Sequence, residues 1–505
     1  MEATNVEVRN LTPEDYLQLK TSMITAYEAI GGHHWTKEDI KRLIAKFPEG
    51  QICVTLNGQV VGCALSIIVP YERFGDNHDY AKITGNYTFN THDAKGDTLY
   101  GIEVFIHPDY RGLRLARRLY DARKFLCESL NLEGIIAGGR IPGYHQYADA
   151  MSPRQYIQKV QSKEIYDTTL SFQLSNDFRV KKVLKNYLPL DNESMGYATL
   201  LIWHNAFYDP DQQMLLRRDY IRIGIVQWQM RPYNSIDEVL GHMEYFIDAV
   251  SDYHSDFVLF PELFNAPLMG KFNDQAPNEA MRSLAVYTDE LAERLSKLAV
   301  SYNVNIIAGS MPRIDKGKLY NAAYCLQRSG AVDYYYKIHP TPAEVKEWAF
   351  TGGDKIHVIQ TDVCKIGMLI CYDVEFPELP RLLAEEGMQI LFVPFLTDTQ
   401  NAYNRVRICS QARAIENECF VAIAGNVGNL PKVNNMDLQF AQSAIFTPSD
   451  FAFPVNAIQA EATPNTETIV VADLDLTLLN ELHYYGSVRT LNDRRKDLYE
   501  LKWKF

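Results

Sequence analysis

Lys365-Ile366-Gly367-Met368-Leu369-Ile370-Cys371-Tyr372-Asp373-Val374-Glu375-Phe376-Pro377-Glu378 opens with an apolar run, Ile366 to Ile370. That run has the length and composition of a buried strand. It ends on Cys371, and the polar, proline-containing residues beyond cannot continue a strand. A thiol on a sharp strand-to-helix turn stands clear of its own backbone, and a helix starting there would stabilise a thiolate. Such a placement suits a nucleophile. The plainer alternative for a lone free cysteine is a buried, inert side chain.

Two other segments favour the nucleophile. Phe257-Val258-Leu259-Phe260-Pro261-Glu262-Leu263 is a second buried strand with a carboxylate just past its end. Tyr334-Tyr335-Tyr336-Lys337-Ile338-His339-Pro340 is a strand-like aromatic run that delivers Lys337 ahead of a proline-rich turn. Open α/β sheets place their chemistry at the carboxyl ends of strands. Glu262 suits a general base that takes the thiol proton and returns it to the leaving amine. Lys337 suits a fixed positive charge beside a developing oxyanion, with backbone N–H groups after Cys371. Cys371 would attack a carbonyl to form a thioester that water hydrolyses.

These three segments, in this order, resemble the nitrilase or carbon–nitrogen hydrolase superfamily from about Ile221 to the C-terminus. The resemblance implies a Glu–Lys–Cys triad on Glu262, Lys337 and Cys371. It implies a second glutamate that positions substrate and water, which falls on Glu344, with Glu347 the nearest competitor. It also implies a four-layer α-β-β-α sandwich; alternating elements alone support only α/β. His339, beside Lys337, is the one histidine of interest.

A chain of 505 residues is expected to hold two or more domains. Hydrophobic residues at 47% and charged residues at 22% are ordinary for a soluble globular protein. A net charge of −13 argues against a nucleic-acid binder, whose footprint is a basic face. The eight cysteines form neither a dense disulfide framework nor paired C-x-x-C metal spacing, so no metal is expected. The start, Met1-Glu2-Ala3-Thr4-Asn5, lacks a basic n-region and an apolar core. No apolar run approaches the ~20 residues of a membrane span. The expectation is a cytoplasmic enzyme with no membrane partner.

Residues 5–203 read as mixed strands and helices. Gln51 to Leu56 and Val60 to Ile68 flank Asn57-Gly58, a hairpin signal. The polar stretch from Asp76 to Asp97 reads as a loop. Leu99 to Ile106 reads as a strand, and His107 to Leu119 as a turn opening a helix. A strand, a basic turn and a helix N-terminus make a pyrophosphate cradle, because unpaired N–H groups and the helix dipole face the anion. This segment resembles the acetyl-CoA loop of the GNAT acetyltransferases, whose pattern is Arg-Gly-x-Gly-x-Gly/Ala. Arg111, Gly112 and Ala116 match it; Arg114 stands at the usual middle glycine. The resemblance implies acetyl-CoA as co-substrate, bound by Arg111, Gly112, Leu113, Arg114, Leu115, Ala116 and Arg117. Leu174-Ser175-Asn176-Asp177-Phe178-Arg179 resembles the family's later motif, but Gln173 stands where its tyrosine acid is usual. Glu103 is a candidate base or an exposed polar position.

The expected division is a GNAT-like mixed α/β domain over 1–204, a linker over 205–219, and the nitrilase-like hydrolase over 220–476. The basic, aromatic tail at 477–505 would pack on the hydrolase or a partner subunit, and a homo-oligomer through the hydrolase domain is expected. Cys371-Tyr372-Asp373 resembles the amidase branches, whereas nitrilases usually carry Trp-Glu after the cysteine. Val374 and Glu375 stand where carbamoyl-amino-acid hydrolases carry basic residues, so a substrate carboxylate would meet repulsion if Glu375 lines the pocket. The reading is an amidase-type hydrolase of non-peptide carbon–nitrogen bonds, needing no cofactor, fused to an acetyl-CoA-dependent N-acetyltransferase-like domain. Its substrates would be small amides or amines. The alternatives are a nitrilase, or an acetyl-CoA-responsive binding protein with a silent GNAT module.

Overall fold

The computed structural model describes residues 5–27, 34–208, 220–434, 436 and 438–504. Residues 1–4, which bear on the leader reading, and 209–219, most of the expected linker, lie outside the described residues. The chain divides into two compact units, Thr4–Arg218 and one that takes in Asp219–Phe505.

In the amino-terminal unit, strands β1 (Val6–Asn10), β2 (Gln51–Leu56), β3 (Gln59–Val69), β4 (Thr98–Ile106), β5 (Gly134–Arg140), β6 (Arg179–Lys185) and β7 (Tyr197–His204) form one sheet. Their order is β1-β2-β3-β4-β5-β7-β6. Side chains alternate between its faces, as strand geometry requires. Ile67, Tyr100, Ile136 and Leu200 join a core with Leu19 and Met23 of helix Tyr16–Ala26 and Ile40 and Leu43 of helix Lys37–Lys46. Their neighbours Ile68, Leu99, Ile135 and Leu201 join another core with Tyr120 and Cys127 of helix Leu115–Ser129. The polar stretch 76–97 contains one short helix, Tyr80–Ile83. Strands β4 and β5 run parallel only from Thr98↔Gly134 to Gly101↔Ala137. Beyond that point β4 stays with β3, and β5 stays with β7. The sheet therefore opens between them.

The carboxy-terminal unit carries β8 (Tyr220–Met230), β9 (Phe257–Leu259), β10 (Asn305–Asp315), β11 (Lys318–Leu326), β12 (Val332–Tyr336), β13 (Ile359–Gln360), β14 (Lys365–Met368), β15 (Ile390–Phe395) and β16 (Phe420–Asn429). The pairing path is β12-β11-β10-β9-β8-β16-β15-β14-β13. β8 meets β16 only from Asn426↔Trp228 to Gly428↔Met230, so the two halves of the path diverge and lie face to face. Ile223 and Ile225 of β8 and Phe257 of β9 share a core with Ile366 and Phe392 of the facing half. The rings of Phe257 and Phe392 lie 5.2 Å apart there, and each buried ring contributes roughly 1.5–3 kcal/mol.

The alternate residues Val226, Trp228 and Val258 face a second core with helices Ile236–Asp252 and Thr288–Tyr302. Helices Glu378–Glu385 and Gln400–Asn417 pack on the other half through Leu383, Tyr403 and Val406. The result is a four-layer α-β-β-α sandwich. After helix Leu476–Tyr485 the tail bonds within this unit: the N–H of Leu491 donates to Glu418 (3.0 Å) and that of Ser487 to Asp450 (2.8 Å). Among the described residues no helix is long and apolar enough to cross a membrane.

Candidate active site

Three strand ends of the carboxy-terminal unit converge. Glu262 stands three residues past β9, with its own carbonyl held by the Asn426 amide at 2.6 Å. Gly309 (φ +56) makes this approach possible: a Cβ there would lie 1.9 Å from the Pro261 carbonyl oxygen. Lys337 directly follows β12, its N–H donating to the Asn321 carbonyl at 2.9 Å. Its Nζ donates to Glu262 Oε1 at 2.8 Å and to both Glu344 carboxylate oxygens at 2.9 Å. The Asn321 amide, from β11, adds bonds to Glu262 at 2.9 Å and to Glu344 at 3.4 Å. All four side chains are buried, where an unpaired charge costs several kcal/mol. The sequence competitor Glu347 is exposed and lies off this cluster.

Cys371 follows β14 by three residues and adopts φ +47, a left-handed conformation that costs a non-glycine residue roughly 1–2 kcal/mol. It opens a five-residue 3₁₀ turn, Cys371–Glu375, and the α-helix starts only at Glu378. The expected helix-stabilised thiolate is thus replaced by a different balance. Burial pushes the thiol pKa well above its ordinary value and the charge of Glu262 adds to this, while Lys337 pulls the other way. Burial likewise raises Glu262, against the lowering pull of Lys337 and of a hydrogen bond with Cys371. For Lys337 burial acts downward, yet Glu262 and Glu344 outweigh it and hold the ammonium charged. The arrangement sets a thiol beside a carboxylate that can take its proton, with the Lys337 ammonium alongside.

The sequence model of the family described as Carbon-nitrogen hydrolase matches residues 222–484. The chain belongs to the carbon–nitrogen hydrolase family. Residues 16–141 match a second family, Acetyltransferase (GNAT). The chain is 43% identical to Probable hydrolase YhcX of Bacillus subtilis (strain 168), over 94% of this chain and 93% of that protein. Its amino-terminal part is 34% identical to Uncharacterized N-acetyltransferase YkwB of the same organism, over 34% of this chain and 76% of that protein. Its hydrolase part is 28% identical to Omega-amidase NIT2 of Xenopus tropicalis, over 56% of this chain and 98% of that protein. The chain is an enzyme, a carbon–nitrogen hydrolase fused to a GNAT acetyltransferase domain.

Within the hydrolase, several residues that sequence reasoning passed over hold the cluster together. Asp373, fully buried, accepts from the N–H of His339 (2.8 Å) and the hydroxyl of Tyr335 (2.8 Å). His339 also approaches Asp373 through Nδ1 at 3.0 Å and stacks on Phe376 with centroids 3.8 Å apart. Arg413 donates to the carbonyls of Val374 and Glu375, fixing the 3₁₀ turn from the helix side. The only sequence signal for Asp373 was its place two residues after the cysteine. Arg405 Nε lies 3.3 Å from the Glu375 carboxylate, an ion pair that weakens the repulsion a substrate carboxylate would meet there.

In the acetyltransferase unit, Arg111, Gly112, Leu113 and Arg114 form an exposed turn ahead of helix Leu115–Ser129. Gly112 has φ +91 and a Cβ there would touch nothing, so the turn leaves an open cradle that needs glycine for its conformation. Arg114 takes the left-handed geometry (φ +53) at the position where the family pattern has glycine. Leu115 is buried and Ala116 and Arg117 are half-buried, so Leu115 can serve a ligand only through its backbone. Glu103 is not an exposed polar position: its carboxylate accepts from the hydroxyl of Tyr27 (2.5 Å), the Val104 N–H (3.1 Å) and Trp35. Gln173 is buried, with its Oε1 lacking a hydrogen-bond partner among the described residues. Among the described residues no group of three or more His, Cys, Asp or Glu could hold a metal.

Proposed function

We propose that the carboxy-terminal unit hydrolyses small amides through a thioester on Cys371. The observation that carries this reading is Lys337 Nζ within 2.9 Å of both Glu262 and Glu344, beside a cysteine held at φ +47. Cys371 Sγ attacks the amide carbonyl carbon as Glu262 takes the thiol proton. Lys337 faces the oxygen on which negative charge develops. Collapse breaks the carbon–nitrogen bond, and Glu262 returns the proton to the departing nitrogen. Water then attacks the thioester with Glu262 as base, Glu344 positioning water and substrate, and the acid leaves as Cys371 is restored. The likeness to an omega-amidase favours amides over nitriles.

The amino-terminal unit, in our reading, transfers acetyl from acetyl-CoA to an amine, within the domain division 1–204, 205–219, 220–476 and 477–505. The open cradle at Gly112 and the arginines 111, 114 and 117 around a helix N-terminus fit a pyrophosphate. When bound, the coenzyme supplies an activated acetyl thioester. The chain's part is to hold the phosphates at 111–117 and orient the thioester along the opening between β4 and β5.

The test for the hydrolase is ammonia release from a panel of primary amides and the matching nitriles. Release from amides, lost in Cys371→Ser, supports the proposal; release from nitriles alone replaces it with the nitrilase reading.

A further inference from the structure

Gln173 stands where the family pattern carries an ionisable tyrosine, and the Glu103 carboxylate accepts from Tyr27, the Val104 N–H and Trp35. Gln173 has no ionisable group to offer in acetyl transfer. Another set of buried groups borders the same opening in the sheet. Gly138 is the first residue of β5 past Ala137, the last that pairs with β4. The Tyr187 ring lies over Gly138, whose N–H donates to the Tyr187 hydroxyl. That hydroxyl is 2.8 Å from the hydroxyl of Tyr100, which is 2.9 Å from His78 Nε2. His78 Nδ1 in turn lies 2.7 Å from the carbonyl of Gly75. His78, Tyr100 and Tyr187 are each less than 5% exposed.

The chain of bonds has a direction. A carbonyl only accepts, so Nδ1 of neutral His78 carries the hydrogen and Nε2 must accept. Tyr100 therefore donates to His78, and Tyr187 donates to Tyr100. The Tyr187 oxygen, which accepts the Gly138 N–H, keeps a second lone pair beside the point where the strands part. We propose that Tyr187, Tyr100 and His78 form a proton relay that drains the acceptor amine's proton during acetyl transfer, from the β4–β5 opening to the loop at Gly75–Asp79.

The step balances. The amine nitrogen bonds to the acetyl carbon and the carbon–sulfur bond breaks, the coenzyme leaving as a thiolate that takes a proton from solvent. The nitrogen gives one proton to the Tyr187 oxygen as Tyr187 passes its own to Tyr100 and Tyr100 passes its own to His78 Nε2. The imidazolium then loses its Nδ1 proton to solvent at the loop; after the product leaves, a solvent proton re-enters at Nδ1 and the chain resets by releasing one at the opening.

The relay needs neutral His78, so turnover should fall as pH drops through its pKa. Burial holds that pKa below the ordinary histidine value; Lys82 also lowers it, while the Gly75 carbonyl, Asp76 and Asp79 raise it. The rings of Tyr71, Tyr100 and Tyr187 complete its surroundings.

This inference rests on the amino-terminal unit being an acetyltransferase, and the two are separable by experiment on the full chain. Long-range ¹⁵N–¹H spectra of histidine-labelled protein, with His78→Gln assigning the signal, should show the Nδ1–H tautomer. An Nε2–H tautomer reverses the chain and overturns the proposal. Acetyl transfer from acetyl-CoA is then followed over a panel of small amines. Tyr100→Phe should lower kcat by on the order of 10²-fold with acetyl-CoA affinity unchanged. His78→Gln keeps an acceptor for Tyr100 but cannot become a cation, and should remove the acid limb of the pH profile. Wild-type kcat and an unchanged limb in both variants overturn the relay alone. Absence of transfer by the wild type overturns the acetyltransferase reading, and the relay with it.

Discussion

Asp373 Oδ1 accepts the backbone N–H of His339 at 2.8 Å, tying the turn that begins at Cys371 to the loop that begins at Lys337. Two strand ends that are far apart in sequence are thereby held in one geometry. Asp373→Ala leaves the Tyr335 hydroxyl and the His339 N–H without this acceptor, each loss costing about 1–3 kcal/mol when buried. Thermal unfolding should show a lower Tm, and amide hydrolysis should fall more than tenfold in the fraction that remains folded. Asp373→Asn keeps one acceptor oxygen and should be milder on both counts. Equal activity in all three proteins removes Asp373 from the positioning role.

Wild-type protein incubated with an amide and quenched should carry an acyl mass increase on the Cys371 peptide, and Cys371→Ala should carry none. Glu262→Gln and Lys337→Met should each slow hydrolysis by about 10²–10⁴-fold, the range for a general base or an oxyanion donor. A loss under about tenfold for either removes that residue from the proposed triad.

Hydrolysis should have an acid limb set by Glu262. The carboxylate must be ionised to take the thiol proton, and burial raises its pKa above the ordinary carboxylate value. Activity is therefore full at higher pH and is lost as pH falls through that raised value. The kcat/KM profile checks this: a midpoint at or below the usual glutamate value of about 4.3 contradicts it.

Gly309→Ala puts a methyl group 1.9 Å from the Pro261 carbonyl oxygen and a side chain at φ +56. The cost is expected to be about 2 kcal/mol or more, read as a shift of the urea midpoint. Because Pro261 precedes Glu262, hydrolysis should fall as well. Unchanged stability would show that the strand end yields without strain.

Gly112→Glu should abolish acetyl-CoA binding measured by calorimetry, since an anionic side chain then fills the cradle that the phosphates need. The same substitution should leave amide hydrolysis intact, because it lies in the other compact unit. Undiminished binding places the coenzyme elsewhere.

What the sequence by itself determined is local. Short apolar runs marked β9 and β14 as buried strands, each followed by a proline or a polar run that cannot continue a strand, and Asn57-Gly58 marked the β2–β3 hairpin. Because the proposed chemistry sits at strand ends, Glu262, Lys337 and Cys371 could be named as candidates before any contact was known. The tertiary structure decided whatever depends on groups distant in the chain. Glu344 rather than Glu347 reaches Lys337 because a turn of backbone buries the one and exposes the other. Burial and the Glu262 charge push the Cys371 thiol pKa up against the pull of the nearby ammonium, a balance of desolvation and charge that no linear motif expresses. Arg405, thirty residues on, pairs with Glu375, which the sequence shows as a lone charge. The Tyr187–Tyr100–His78 chain joins three separate segments, and only the parting of β4 from β5 gives it a place to lead from.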